Sequence, residues 1–215
     1  MRTTLLFDFD GTVFDTVEGI TKSVQYAVRR QGLDAPLEAL RCFAGPPLLD
    51  KFMEVFPFGP DEALQAVADF RERYGPVGLY ECRLFPGMKE LLGELKARGY
   101  VLGIATSKPQ PLAEELLGRE DMLRLFDAIV GSSRDARNDS KAAVLRAVMD
   151  RLGKTAEDCV LIGDTKYDVQ GAHLCGVRCV GVGYGYAAEG ELTAAGADVI
   201  VPDLPALRAY LLALP

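Results

Sequence analysis

A chain of 215 residues, 49% hydrophobic and 26% charged, carries enough apolar side chains for one domain or two small ones with a sizeable core. Its net charge of -7 argues against nucleic-acid partners and anionic membrane surfaces, and no apolar run approaches the roughly 18 residues of a membrane span. Five scattered cysteines and a single histidine do not make a zinc set. Cys42, Cys82, Cys159, Cys175 and Cys179 read as reduced thiols, and the N-terminal run reaches Asp8 too soon for a signal peptide, so a cytoplasmic location is expected. Asn138-Asp139-Ser140 matches a glycosylation acceptor but carries no weight without secretion.

The first predicted strand covers 4–9 and runs into Asp8-Phe9-Asp10-Gly11-Thr12. Alternate strand residues share a face, so Asp8 and Asp10 are expected to emerge together at a carboxyl end, where open α/β sheets place their ligands. Two close carboxylates repel each other, and a divalent cation would relieve the repulsion. Gly11 lets the chain turn sharply and bring backbone N–H groups near an anion.

From about 16 to 82 no strand is predicted. Val17, Ile20, Val24 and Val28 mark one amphipathic helix, and Leu64, Val67 and Tyr74 another. An insert of this length is too large for a loop. The sequence therefore divides into a core, 1–15 with 83–215, and a helical cap domain, 16–82, joined by two crossings and expected to move as a unit.

Further strands are predicted at 100–105, 127–131, 159–163, 178–182 and 198–201, apolar on both faces as in a covered parallel sheet. Met88, Leu91, Leu92 and Leu95 form a helical stripe opened by Pro86-Gly87 and closed by Gly99. Val144, Val148 and Leu152 form another within a helix at 140–152. The alternation predicts a doubly wound α/β sandwich with a parallel, Rossmann-like sheet.

Three more sites fall at or beyond strand ends. Thr106-Ser107, followed by Lys108-Pro109 near a helix start, offers hydroxyls to a phosphate, although such residues also cap helices. Lys141 sits in the first turn of its helix, where the dipole disfavours a cation. A solvated surface lysine is the default there, and a functional one would neutralise phosphate and carboxylate charge. Gly163-Asp164 and Asp168 follow the most apolar strand, and paired acids there suit oxygen coordination of Mg2+.

These four sites resemble the four motifs of the haloacid dehalogenase superfamily, and the match spans nearly the whole chain. The insert resembles that superfamily's helical cap, and the chain is most similar to its phosphoglycolate-phosphatase-like phosphohydrolases. Gly45-Pro46-Pro47-Leu48 resembles a loop that overhangs the active site in that branch, and a substrate-selecting role is expected of it. The resemblance implies that Asp8 is the nucleophile and forms an aspartyl-phosphate. Asp10 would be general acid and then base. Asp8, the Asp10 carbonyl and Asp164 would hold Mg2+ with support from Asp168. Gly11, Thr106, Ser107 and Lys141 would contact the phosphoryl group. The expected activity is hydrolysis of a small phosphorylated metabolite, phosphoglycolate-like or a nucleoside monophosphate, by a monomer or weak homodimer. A phosphosugar mutase of the same fold is an alternative, as is a non-catalytic regulatory protein. A dehalogenase is disfavoured by the acid at Asp10.

Overall fold

The structure is a computed structural model and describes residues 3–132 and 140–215. The chain forms two compact units, Met1–Phe14 with Leu84–Pro215, and Asp15–Arg83. Asn138 and Asp139, in the glycosylation-like triplet, lie outside the described residues.

The larger unit is built on a six-stranded parallel sheet. In chain order its strands are β1 (Thr4–Phe7), β2 (Val101–Pro109), β3 (Ala128–Ser132), β4 (Cys159–Gly163), β5 (Arg178–Val182) and β6 (Val199–Val201). Their spatial order is β3-β2-β1-β4-β5-β6. Strand β1 is central: Leu5 pairs with Leu102 on one side and Val160 on the other. Successive strands are laid down outward from β1 to β3, and then outward on the opposite side from β4 to β6. The crevice at the carboxyl ends of β1 and β4 is therefore the switch point at which such sheets bind ligands.

The predicted strands form within a residue or two of their expected bounds, with one exception. Strand β2 continues past Ala105 to Pro109, with an irregularity in its pairing to β3. Leu5, Leu6, Phe7, Leu161 and Ile162 are fully buried, because helices cover both faces. In chain order the helices are α1 (Val17–Arg30), α2 (Leu48–Val55), α3 (Pro60–Tyr74), α4 (Met88–Ala97), α5 (Gln110–Arg119), α6 (Lys141–Leu152), α7 (Lys166–Leu174), α8 (Glu191–Ala195) and α9 (Leu204–Leu212). The first three belong to the smaller unit. Helices α6 and α7 share a core with Leu6 and Leu161 through Val144, Leu145, Val148, Val169 and Ala172. Tyr100, ahead of β2, donates to the carbonyls of Leu211 and Leu214 at 3.1 and 2.8 Å and fixes the C-terminal helix.

In the smaller unit α1 buries Val24, Ala27 and Val28 against α3. The buried stripe of α3 is Ala63, Ala66, Val67, Phe70 and Tyr74, whereas Leu64, expected inside, is 44% exposed. Two alanines let the helix axes approach closely, and Leu64 lies one residue, about 100°, off that face. Phe43, Phe52, Phe56 and Phe58 form an aromatic cluster beside α2. Arg73 joins Ser23 to Glu81, and Lys22 also reaches Glu81 at 3.1 Å. The Gly19 N–H donates to the Glu81 carbonyl, and Arg83 pairs with Asp15 at 2.8 Å, so the two ends of this unit are tied together.

Candidate active site at the sheet's switch point

Asp8 follows directly from β1, and its N–H continues the ladder to the Ile162 carbonyl at 2.8 Å. Asp164 follows β4, and Asp168 sits in the first turn of α7. The carboxylate oxygens of these three residues converge within 4.8 Å of one another, and all three residues are buried. Lys141, the first residue of α6, enters the same cluster. Its Nζ lies 2.6 Å from Asp8 Oδ1 and 2.6 Å from Asp168 Oδ1. The surface lysine expected by default at a helix start is thus a buried one, because its two carboxylates compensate both the desolvation and the unfavourable helix dipole.

Each acid is fixed by further bonds. Asp168 Oδ2 accepts from the N–H and the hydroxyl of Thr165, which caps α7. Asp164 accepts from the Thr12 hydroxyl at 3.2 Å and from the Tyr186 N–H at 2.8 Å. Burial pushes Asp8 up to about 7, with Asp168 and Asp10 adding to the rise and Lys141 opposing it. Burial, then Asp168 and Asp8, hold Asp164 well above the usual carboxylate range. Burial alone would lower Lys141, but the Asp168 and Asp8 carboxylates outweigh it and keep the ammonium charged. Three carboxylates thus face one ammonium, and the excess negative charge retains a proton or admits a cation. The donor set is all oxygen, which fits a hard divalent ion such as Mg2+.

Asp10 is not drawn into this cluster. Its carboxylate lies 3.1 Å from Lys108 Nζ, and the lysine side chain is only 3% exposed. Gly11 also departs from expectation. Its N–H donates to the Phe14 carbonyl at 2.7 Å instead of facing an anion. The residue is needed because φ is +80° and because a Cβ there would collide with the Asp164 carboxylate and the Tyr186 ring. Thr106 is buried near the end of β2, just past the level of Asp8, and its Oγ1 accepts from the Lys108 N–H at 3.1 Å. Ser107 beside it is half-buried. Gly45, Pro46, Pro47 and Leu48 lie in the smaller unit, the first three leading into α2 and Leu48 beginning it.

Sequence reasoning did not assign Lys108, Thr12, Thr165 or Tyr186. Lys108 stands inside the quoted Thr106–Pro109 stretch, but Asp10, its partner, is 98 residues away in the chain, so only the fold brings the two together. Tyr186 contributes only a backbone N–H, which leaves no residue-type signal. Gly171 of α7 is a fifth residue of this kind: a Cβ there would lie 2.7 Å from Cβ and Cγ of Lys141.

The model of haloacid dehalogenase-like hydrolases matches residues 5–182, which includes every acid just described. The chain belongs to that family. This hydrolase is 46% identical to a 5'-nucleotidase of Pseudomonas aeruginosa, over 96% of its own length and 94% of the relative's. It is 32% identical to a phosphoglycolate phosphatase of Cupriavidus necator, over 97% and 93% of the two chains. A crystal structure of a predicted phosphatase from Clostridium acetobutylicum superposes with a TM-score of 0.96 at 38% identity, covering all of both chains. The family and these relatives identify the hydrolase as an enzyme of the phosphatase type.

Proposed function

We propose that this hydrolase cleaves phosphomonoesters of small metabolites in a Mg2+-dependent, two-step reaction through Asp8, with the core unit 1–15 and 83–215 performing the chemistry. The observation that carries the reading is the buried Lys141 between Asp8 and Asp168, inside a cluster that still has more negative than positive charge. Asp8, Asp164 and the Asp10 carbonyl would hold the metal, supported by Asp168. The bound ion supplies positive charge that lets an anionic ester approach carboxylates and stabilises the transferring phosphoryl group.

Lys141 engages Asp8 Oδ1 at 2.6 Å and so orients the carboxylate that attacks phosphorus. In the first step an Asp8–phosphorus bond forms and the ester P–O bond breaks, with Asp10 giving its proton to the departing oxygen. In the second step Asp10 removes a proton from water, whose oxygen takes the phosphoryl group and frees the Asp8 carboxylate. Thr106, Ser107 and Lys141 would hold the phosphoryl oxygens. Among substrates we favour nucleoside 5'-monophosphates over phosphoglycolate, supported by the 46%-identical relative named 5'-nucleotidase.

The test is phosphate release from p-nitrophenyl phosphate, with and without EDTA, by wild type and Asp8→Asn. A panel of nucleotides and phosphoglycolate then follows. Loss of activity in EDTA and in the variant, with nucleotides ranking above phosphoglycolate, is expected. Full turnover without metal would overturn the mechanism, and a phosphoglycolate preference would overturn the substrate class.

A further inference from the structure

Among the described residues, the Asp10–Lys108 pair is the part-buried charge pair next to the site for which the mechanism gives the lysine no work. Burying an ammonium is unfavourable unless a counter-charge receives it. The four-carbon stem of a lysine normally carries the charge to water. Lys108 does the opposite: its side chain is 3% exposed, with Nζ 3.1 Å from Asp10 Oδ1 and 3.5 Å from Oδ2. The same ammonium lies 5.7 Å from the centre of the Phe9 ring. The backbone beneath it is fixed by the bond from its N–H to Thr106 Oγ1. The break in regular pairing between Ala105 and Pro109 is the kind of irregularity that re-aims a side chain at the end of a strand. The effect is visible on Asp10. This residue is only two positions after Asp8, yet its carboxylate stands outside the three that converge.

We propose that Lys108 is a positioning residue that holds the Asp10 carboxylate off the acidic cluster. Three side-chain carboxylates, and not four, then compete for a cation, and Asp10 stays turned toward the leaving group. Lys108 itself makes and breaks no bond. The inference rests on the phosphohydrolase reading and deepens it.

The experiment compares Lys108→Met, Lys108→Arg, Asp10→Asn and the double variant of Lys108→Met with Asp10→Asn. Mg2+ affinity is measured by calorimetry without substrate, and kcat and KM on p-nitrophenyl phosphate. Lys108→Met is expected to lower kcat at least about tenfold while KM stays within about threefold, as for a misplaced acid and not a lost binding group. With Asp10 released toward the cluster, Mg2+ should bind at least about threefold tighter, an effect a merely structural lysine would not produce. In the Asp10→Asn background the same substitution should change Mg2+ affinity less than about twofold, because the carboxylate that would move is gone. Lys108→Arg should recover most of kcat. Unchanged or weaker Mg2+ binding by folded Lys108→Met overturns the proposal, as does an equal gain in both backgrounds. Should Lys108→Met fail to fold, Lys108→Gln, which keeps a donor but not the charge, is read by the same criteria. Wild type without Mg2+-dependent turnover would instead refute the phosphohydrolase reading, and the calorimetric comparison would still judge Lys108.

Discussion

Replacing Gly171 by alanine sets two effects of known sign against each other. Within a helix, Gly→Ala stabilises by about 0.5–1 kcal/mol, because glycine loses more backbone freedom on folding. At Gly171 the new methyl would stand 2.7 Å from Cβ and Cγ of Lys141 and 3.3 Å from the Ala142 nitrogen. The two carbon contacts are closer than van der Waals spheres allow, and the lysine cannot swing away while Asp8 and Asp168 hold its Nζ at 2.6 Å. Overpacking of a filled interior costs about 1–3 kcal/mol, so the steric effect wins and the net change is a loss of up to about 2.5 kcal/mol. Gly93 of α4 is the internal control, since a Cβ there meets nothing within 4 Å. Gly93→Ala should gain the full helix term, so the difference between the two variants isolates the overpacking, about 1–3 kcal/mol. Both positions lie in the larger unit, so equilibrium urea unfolding in EDTA, followed by a probe in that unit, compares like with like. A shift of Lys141 by even part of an ångström should also lower kcat of Gly171→Ala by about tenfold or more. If Gly171→Ala is as stabilising as Gly93→Ala and keeps its kcat, Lys141 does not occupy the place between α6 and α7 from which the mechanism was argued.

Two further outcomes follow from the charge of the site and from the smaller unit. In metal-free protein the folded Asp8 titrates near 7 and the unfolded one near 3.8, so between those values the native state holds a proton that the unfolded chain has lost. This contribution to stability is complete below the lower value and lost as pH rises through the upper one, so the metal-free protein should be less stable at pH 8 than at pH 6 by calorimetry. Asp164→Asn should flatten that dependence, because its amide can accept from the Tyr186 N–H and donate to Thr12 while removing one buried charge. It should also abolish stabilisation by Mg2+, and a steeper dependence in the variant would contradict the charge-excess argument. We also propose that the unit formed by 16–82 chooses the leaving group. Leu48→Ala should then change the ranking of kcat/KM across a phosphate-ester panel, whereas a uniform loss with the ranking intact would make the loop structural.

The sheet was legible because its strands are unbroken apolar runs. A parallel sheet covered on both faces demands such runs, and Leu5, Leu6, Leu161 and Ile162 answer that demand residue by residue. Asp8 and Asp164 stand out in the sequence because each follows an apolar strand, whereas Asp168, in the first turn of α7, reads equally as the helix-capping acid it also is. What escaped reading depends on contacts between distant segments. Lys141 is singled out by its place in a first turn, but its ion pairs with Asp8 and Asp168 appear only when α6 is laid beside them, and Lys108 looks like a loop residue until β2 is extended to Pro109. Leu64 was misplaced because the apolar stripe of α3 is partly made of alanines, which a hydrophobic pattern underweights. Gly11 was assigned to anion binding from its residue type, but its N–H closes the turn onto Phe14 and its role is to leave room for Asp164.

The tie between the ends of the smaller unit also bears on how the chain reaches its native state. Strand β1 must pair with β2, and nearly a hundred residues separate Leu5 from Leu102 in the covalent chain. The intervening Asp15–Arg83 unit closes on itself, through the Gly19–Glu81 bond and the Asp15–Arg83 ion pair. Once it has formed, the disordered loop that β1 and β2 must close contracts from roughly ninety residues to a few tens, which lowers the entropy of closure by about 1 kcal/mol. Formed ahead of the β1–β2 pairing, the insert would act as a splint that brings β2 to the neighbourhood of β1.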